Sequence, residues 1–169
     1  MVMRHATEQD AEALHALVSA HLKEGHLLPR ELDELRRHAG RFVVCDEGGV
    51  LEACAELAPL SNAVAEVRSL VVSGPFRRAG VAARLISELS DRAKGSGFKT
   101  LCAFTHDPRF FVRQGFSIVP RLWLPEKVTT DCRTCPFLLG CEQFAMVLPL
   151  EPIARFGSLA PAVRRVAVA

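Results

Sequence analysis

The sequence predicts an α/β domain: a mixed central β-sheet flanked by helices on both faces. Three observations carry that reading. An apolar run over residues 67–72 reads as a buried strand, part of a central strand over 64–72. Beyond the turn Gly74-Pro75, apolar residues recur at Val81, Leu85, Leu89 and Ala93, one face of a helix. Strand-like and helix-like stretches interleave along the chain in the order β-α-α-β-β-β-α-β-α-β-β, which suits one sheet covered on two sides.

Taken in order, residues 2–4 can form a first strand. Thr7 is placed to cap a helix whose stripe is Ala13, Leu14, Leu17 and Val18, with acids in its first turn. Gly25 ends it. Gly25-His26-Leu27-Leu28-Pro29-Arg30 leads to a second helix over 31–38. Residues 42–45 and 50–57 read as a hairpin around Glu47-Gly48-Gly49. Asn62 marks the turn into the central strand. After the long helix, stopped at Gly95 and Gly97, come a fifth strand over 101–105 and a short helix from Asp107-Pro108 to Gln114. Residues 117–119 begin another strand. Residues 120–143 read as a long excursion bearing proline and cysteine, and 144–148 as the last strand. The expected division is a domain over 1–150 and a loosely packed tail over 151–169, with a short basic helix near Arg164-Arg165.

Composition narrows the function. At 169 residues, 49% of them apolar, the chain can build a real core. Its net charge of +2 comes from basic residues spread along the chain, which argues against nucleic acid as the main partner. No run is long enough for a membrane span, and the N-terminus does not resemble a signal peptide. A cytoplasmic protein is expected, its six cysteines mostly reduced thiols.

Arg77-Arg78-Ala79-Gly80-Val81-Ala82 lies between the central strand and the long helix. The first N–H groups of a helix lack intrahelical acceptors, and the macrodipole turns its positive end outward there. Small residues at 80 and 82 let a phosphate come close, and two arginines add charge. The alternative is a solvated basic turn capping an ordinary helix. The three cysteines Cys132, Cys135 and Cys141 admit a zinc reading, but no fourth cysteine is near, Asp131 or Glu142 would have to complete the set, and packed thiols are the preferred reading.

The R-x-x-G-x-A pattern of Arg77, Gly80 and Ala82 resembles the coenzyme A pyrophosphate loop of the GNAT acetyltransferases. The order of elements is also theirs. Residues 65–72 resemble the family's central strand, and Phe110-Phe111-Val112-Arg113-Gln114-Gly115-Phe116 its F-Y-x-x-x-G-F segment. The Leu-Leu-Pro-Arg stretch, Leu124-Pro125-Glu126-Lys127-Val128 and the cysteine segment resemble the short-form amino-acid N-acetyltransferases, the N-acetylglutamate synthases of arginine biosynthesis. The resemblance covers residues 1 to about 150.

It implies transfer of acetyl from acetyl-CoA to the α-amino group of L-glutamate within a ternary complex. No metal is implied, and pairing of two copies is common in the family. Coenzyme A is expected on Leu70, Val71 and Val72, on Arg77, Arg78, Ala79, Gly80, Val81 and Ala82, and on Phe110, Phe111 and Arg113. Glu66 matches the family's general base; the plain alternative is an ion pair with Arg68, two residues on and on the same face. Thr105 matches a hydroxyl that assists the thiolate, with His106 as a second candidate. Arg30 matches a carboxylate-binding arginine, whose guanidinium suits bidentate recognition. Leu28, Ser69, Arg68 and Lys127 complete the expected acceptor site, with Arg68 and Lys127 facing a second carboxylate. Glu66 and Ser69 would face opposite sides of an even strand, unless a bulge intervenes.

Two departures stand out. Many members use a tyrosine as general acid where Phe111 stands, and this chain has no tyrosine. Its length leaves no room for the arginine-binding kinase domain of the long-form synthases, so arginine inhibition through that domain is not expected. Glutamine, another small amine, or a non-catalytic acyl-CoA-binding module are the alternatives to glutamate acetylation.

Overall fold

The computed structural model describes residues 1–25, 27–135 and 140–151. The basic helix expected near Arg164-Arg165, nearly all of the tail, and His26 lie outside the described residues. Seven strands form one sheet: β1 (Val2–His5), β2 (Phe42–Glu47), β3 (Val50–Pro59), β4 (Val64–Val72), β5 (Thr100–Thr105), β6 (Ser117–Val119) and β7 (Phe144–Pro149). Their order across the sheet is β1-β2-β3-β4-β5-β7-β6. All neighbouring pairs are antiparallel except β4 with β5. The expected mixed sheet is therefore present.

The helices are α1 (Ala11–Ala20), α2 (Leu22–Gly25), α3 (Leu32–His38), α4 (Val81–Gly95), α5 (Arg109–Arg113) and α6 (Pro125–Thr130). Side-chain alternation sends the sheet's residues to two opposite cores. Val81, Leu85, Ile86, Leu89 and Ala93 of α4 pack with Val43, Ala53, Ala55, Leu57, Ala65 and Val67 on one face. Leu14, Leu17 and Val18 of α1 and Leu35 of α3 pack with Phe42, Val44, Cys54 and Val71 on the other.

Two details differ from the sequence expectation. Thr7 does not cap an α-helix directly. It precedes a single 3-10 turn, Glu8–Asp10, and the Asp10 carboxylate accepts the Thr7 N–H at 2.7 Å. The α-helix starts at Ala11. The excursion over 120–143 is also not all loop. Pro125 opens α6, because proline lacks the N–H that a first helical turn leaves unused. Leu124, 2% exposed, pins the start of α6 to Val64, Cys102 and Ala145. Polar positions over 125–130 hid this helix from an apolar-period reading.

Two features of β4 position the site. Its parallel ladder with β5 runs from Val64↔Thr100 to Val67↔Ala103 and stops, so the strands part beyond it. The register with β3 also slips: Glu56 faces Arg68, but Cys54 faces Val71. One β3 residue, Ala55, thus opposes two on β4, Ser69 and Leu70. That is the expected bulge. Ser69 takes φ +48°, a left-handed conformation that costs a non-glycine residue about 1–2 kcal/mol.

Candidate active site

A cavity of about 610 Å³ opens where β4 and β5 part. Its walls come from the 27–30 loop, residues 66–70 of β4, residues 104–107 at and beyond the end of β5, Phe110 and Phe111 of α5, and Lys127 and Asp131. Glu66 and Ser69 both line it, because the bulge turns Ser69 toward the side that Glu66 already faces.

Charged groups organise the cavity into two clusters. In the first, Arg30 is the hub. Its Nη2 donates to Glu34 at 2.8 Å, and its Nη1 donates to Glu56 at 2.8 Å and to the Ser69 hydroxyl at 3.0 Å. The Arg30 side chain is 11% exposed and that of Glu56 1%. Burial disfavours the Arg30 charge, but Glu56 and Glu34 outweigh it and hold the guanidinium pKa above its ordinary value. Arg30 is therefore not in open solvent; a proline-led loop carries it onto the bulge.

The second cluster centres on Glu66, 3% exposed. Arg68 Nε donates to it at 2.6 Å, and Lys127 Nζ reaches its two oxygens at 2.7 and 2.8 Å. Asp131 accepts from the same Lys127 at 2.8 Å and from Arg68 Nη2. Burial opposes the Arg68 charge as well, and Glu66 and Asp131 more than offset it. The Lys127 ammonium also lies 5.2 Å from the Phe104 ring centroid. The same-face pair of Glu66 with Arg68 is thus real, and it sits in the cavity wall.

A second cavity of about 290 Å³ adjoins the end of β4 and is lined by Leu70, Val71, Val72, Arg77, Ala82, Phe110, His21 and Leu27. Behind it stands the turn into α4. Gly80 caps α4 at φ +76°, and no atom lies within 4 Å of where a Cβ would be. Arg78 is also left-handed, at φ +71°. The backbone bonds of α4 begin with Arg84 N–H to Gly80 O at 3.1 Å, so the N–H groups of Val81, Ala82 and Ala83 precede the helical ladder. A helix of 15 residues aims its positive end at this open space. Arg77 is tied back to the strand through Nε and Val72 O at 3.0 Å.

Residues 6–116 match the model of the acetyltransferase (GNAT) family. The chain belongs to the GNAT acetyltransferases. An uncharacterized N-acetyltransferase of Chlorobaculum tepidum is 29% identical over 148 residues, covering 88% of this chain and 96% of its own. The amino-acid acetyltransferase of Neisseria meningitidis is 30% identical over 134 residues, which are 78% of this chain and 31% of that protein. The chain thus spans less than a third of that relative. The N-acetylglutamate synthase of Neisseria gonorrhoeae, solved with coenzyme A and N-acetyl-glutamate, superposes with a TM-score of 0.79 at 27% identity. The match covers 89% of this chain and 35% of that one. Rv2747 of Mycobacterium tuberculosis, solved with coenzyme A, has a TM-score of 0.75 at 21% identity over 89% of this chain and 100% of its own, a likeness of fold. The GNAT resemblance expected from the sequence, and that to N-acetylglutamate synthases, therefore hold.

Within this GNAT domain the structure sorts the expected site residues. Glu66, Arg68, Ser69, Leu28, Arg30, Lys127 and Thr105 line the larger cavity. Leu70 and Phe110 line both cavities, and Val71, Val72, Arg77 and Ala82 the smaller one. Four placements limit what a side chain can do. Val81 is 3% exposed, its side chain in the core, so only its N–H faces outward use. Phe111 is 7% exposed and stacks edge-to-face on Phe110 and Phe116, each at 5.2 Å. Arg113 lines neither cavity. Thr105 Oγ1 is engaged by its own turn, 3.1 Å from Asp107 O and 3.2 Å from Asp107 N.

Sequence reasoning missed Glu34, Glu56 and Asp131. Glu56 left a signal: an acid inside the apolar run Ala53–Ala58 must find a partner if the strand is buried. Asp131, weighed in the sequence only as a zinc ligand, left no signal for this place on Arg68 and Lys127, because that depends on α6. Among the described residues no group of three His, Cys, Asp or Glu is placed to hold a metal, and all six cysteines are free thiols. No helix among them is long and apolar enough to cross a membrane.

Proposed function

We propose that this GNAT domain transfers acetyl from acetyl-CoA to the α-amino group of an amino acid, with L-glutamate as the first acceptor to test. The supporting observation is the convergence of Arg30, Ser69, Glu66, Arg68 and Lys127 on one cavity beside the α4 turn. The amino-acid acetyltransferase and N-acetylglutamate synthase named above support the choice of acceptor.

Acetyl-CoA is the co-substrate, and the residues present fit it. The pyrophosphate would lie over the N–H groups of residues 78–82, where Gly80 leaves open space and the helix dipole favours negative charge. Arg77 and Arg78 add charge, and Ala79 and Ala82 keep the approach small. The acyl arm would run along Leu70, Val71 and Val72 toward Phe110, through the gap left by the parting strands. Backbone N–H groups near Val71 and Val72 would donate to the thioester oxygen.

Glu66 serves as the base that frees the α-amine of its proton. Both its oxygens are held by Lys127 and Arg68, so the incoming ammonium must replace one of these donors. Arg30 orients the α-carboxylate, with Ser69 beside it, and Arg68 and Lys127 face the side-chain end. Thr105 and His106 line the wall toward the departing thiolate. The protein is placed in the cytoplasm, with arginine biosynthesis as the process served.

L-glutamine is the second reading, and charge favours it. The cations Arg30, Arg68 and Lys127 are already paired with Glu34, Glu56, Glu66 and Asp131. A carboxamide needs no further cation. Release of free thiol from acetyl-CoA, measured across a panel of amino acids and simple amines, tests the proposal. Turnover confined to L-glutamate or L-glutamine is expected. Turnover with simple amines alone would overturn the acceptor assignment, and none with any amine would leave a coenzyme-binding module.

A further inference from the structure

The ring formed by Glu66, Arg68, Asp131 and Lys127 holds one carboxylate more than catalysis requires. Glu66 lies on β4 and is almost fully enclosed, its side chain 4% exposed. Asp131 follows α6, one helical turn after Lys127, and its side chain is 31% exposed. Both acids share the same two cations. The enclosed acid is fixed by the strand, whereas the wetter one is held at the cavity wall by a six-residue helix. Of the two, Asp131 is the one an incoming anion can replace. Its carboxylate sits on Arg68 and Lys127, the cations that the proposed acceptor site offers to a side-chain carboxylate.

We propose that Asp131 is an internal competitor for the acceptor's side-chain carboxylate, and so sets how strongly the cavity distinguishes a dicarboxylic amino acid from its carboxamide counterpart. The inference rests on the amino-acid acceptor reading above. A dicarboxylic acceptor must displace Asp131 or face a like charge across the shared cations. A carboxamide bears no such charge and can bind with Asp131 still on its two cations. Arg30 does not relieve the conflict, because Glu34 and Glu56 already hold it.

The test is calorimetric binding of L-glutamate and L-glutamine to the full chain in the presence of coenzyme A, for wild type, Asp131→Asn, Asp131→Ser and Asp131→Glu. Asp131→Asn is expected to tighten L-glutamate by about tenfold, the worth of about 1.4 kcal/mol, while L-glutamine shifts far less. Asp131→Ser is expected to do the same, so the proposal stays testable if one variant melts early. Asp131→Glu, which keeps the charge, is expected to retain the wild-type ratio. Equal shifts for both amino acids, or weaker L-glutamate binding in the uncharged variants, would overturn the role of Asp131 alone. A wild-type protein that bound neither amino acid would instead overturn the acceptor reading on which the role depends.

Discussion

Single residues decide the division of labour in the cavity. Glu66 is buried and the Arg30 side chain is 11% exposed; both are ion-paired, in neighbouring clusters coupled where Glu56 of one faces Arg68 of the other. Their removal is expected to fail in different ways. Arg30→Ala leaves the Glu56 carboxylate, 1% exposed, with Arg41 only at 3.9 Å, and removes the guanidinium proposed to meet the α-carboxylate. The apparent KM for the amino acid is expected to rise by the roughly 2–5 kcal/mol that truncating a buried charge pair costs. Affinity for acetyl-CoA is expected to stay within about twofold of wild type, because Arg30 does not line the smaller cavity. Steady-state kinetics with each substrate varied in turn checks this. A loss confined to the acetyl-CoA KM would move Arg30 out of the acceptor site. Arg30 was singled out in the sequence by the Leu-Leu-Pro-Arg resemblance. Its acidic partners were not, because Glu34 and Glu56 reach it across 4 and 26 positions of sequence, and only the folded sheet fixes the second distance.

At the scale of elements, the turn before α4 carries the coenzyme reading. Its sequence pattern announced the helix start and suggested an anion cradle there, since a glycine at a helix N-terminus and the apolar period behind it are local signals. Gly80 suits φ +76°, and the open space beside it leaves room for the proposed phosphates. Two substitutions separate these needs. Gly80→Asn adopts the left-handed conformation at modest cost and adds no charge. Gly80→Asp adds a carboxylate where the phosphates would lie. Acetyl-CoA affinity is expected to fall in both and at least tenfold further in Asp than in Asn, read by calorimetry. Equal affinities would show that no anion sits on this turn. In contrast, α6 was not legible. Its six residues are mostly polar, none of them is buried, and the buried anchor Leu124 precedes it, so no periodicity marked it.

For the whole molecule, a mixed sheet with a core on each face followed from strand and helix periods, but the strand order across the sheet and the cleft did not. It arises because the β4–β5 ladder ends at Val67↔Ala103 while both strands continue, a consequence of sheet geometry and the bulge that no short window encodes. Stability has its own acid dependence. Hydrogen bonding from Arg4, reinforced by the Thr7 N–H and opposed by partial burial, lowers the Asp10 pKa to about 2. An unfolded aspartate titrates near 3.9, about two units higher. The folded state therefore holds fewer protons between these values, and stability falls as pH drops from about 4 to about 2. Asp10→Asn is expected to melt below wild type at neutral pH, with the gap closing toward pH 2. Melting curves across that range check it, and a gap that stayed constant would assign the Asp10 contribution to packing rather than charge.

The central claim is that the Glu66 cavity acetylates an amino acid on its α-nitrogen. The most direct measurement supplies carbon-13-labelled acetyl-CoA and L-glutamate or L-glutamine to wild type and to Glu66→Gln, and follows the labelled amide by nuclear magnetic resonance. The account predicts an α-N-acetyl product from wild type. It predicts a rate lower by roughly 10²- to 10⁴-fold from Glu66→Gln, with both substrates still bound. Wild-type label that never reached an α-nitrogen, or an unchanged rate in Glu66→Gln, would contradict it.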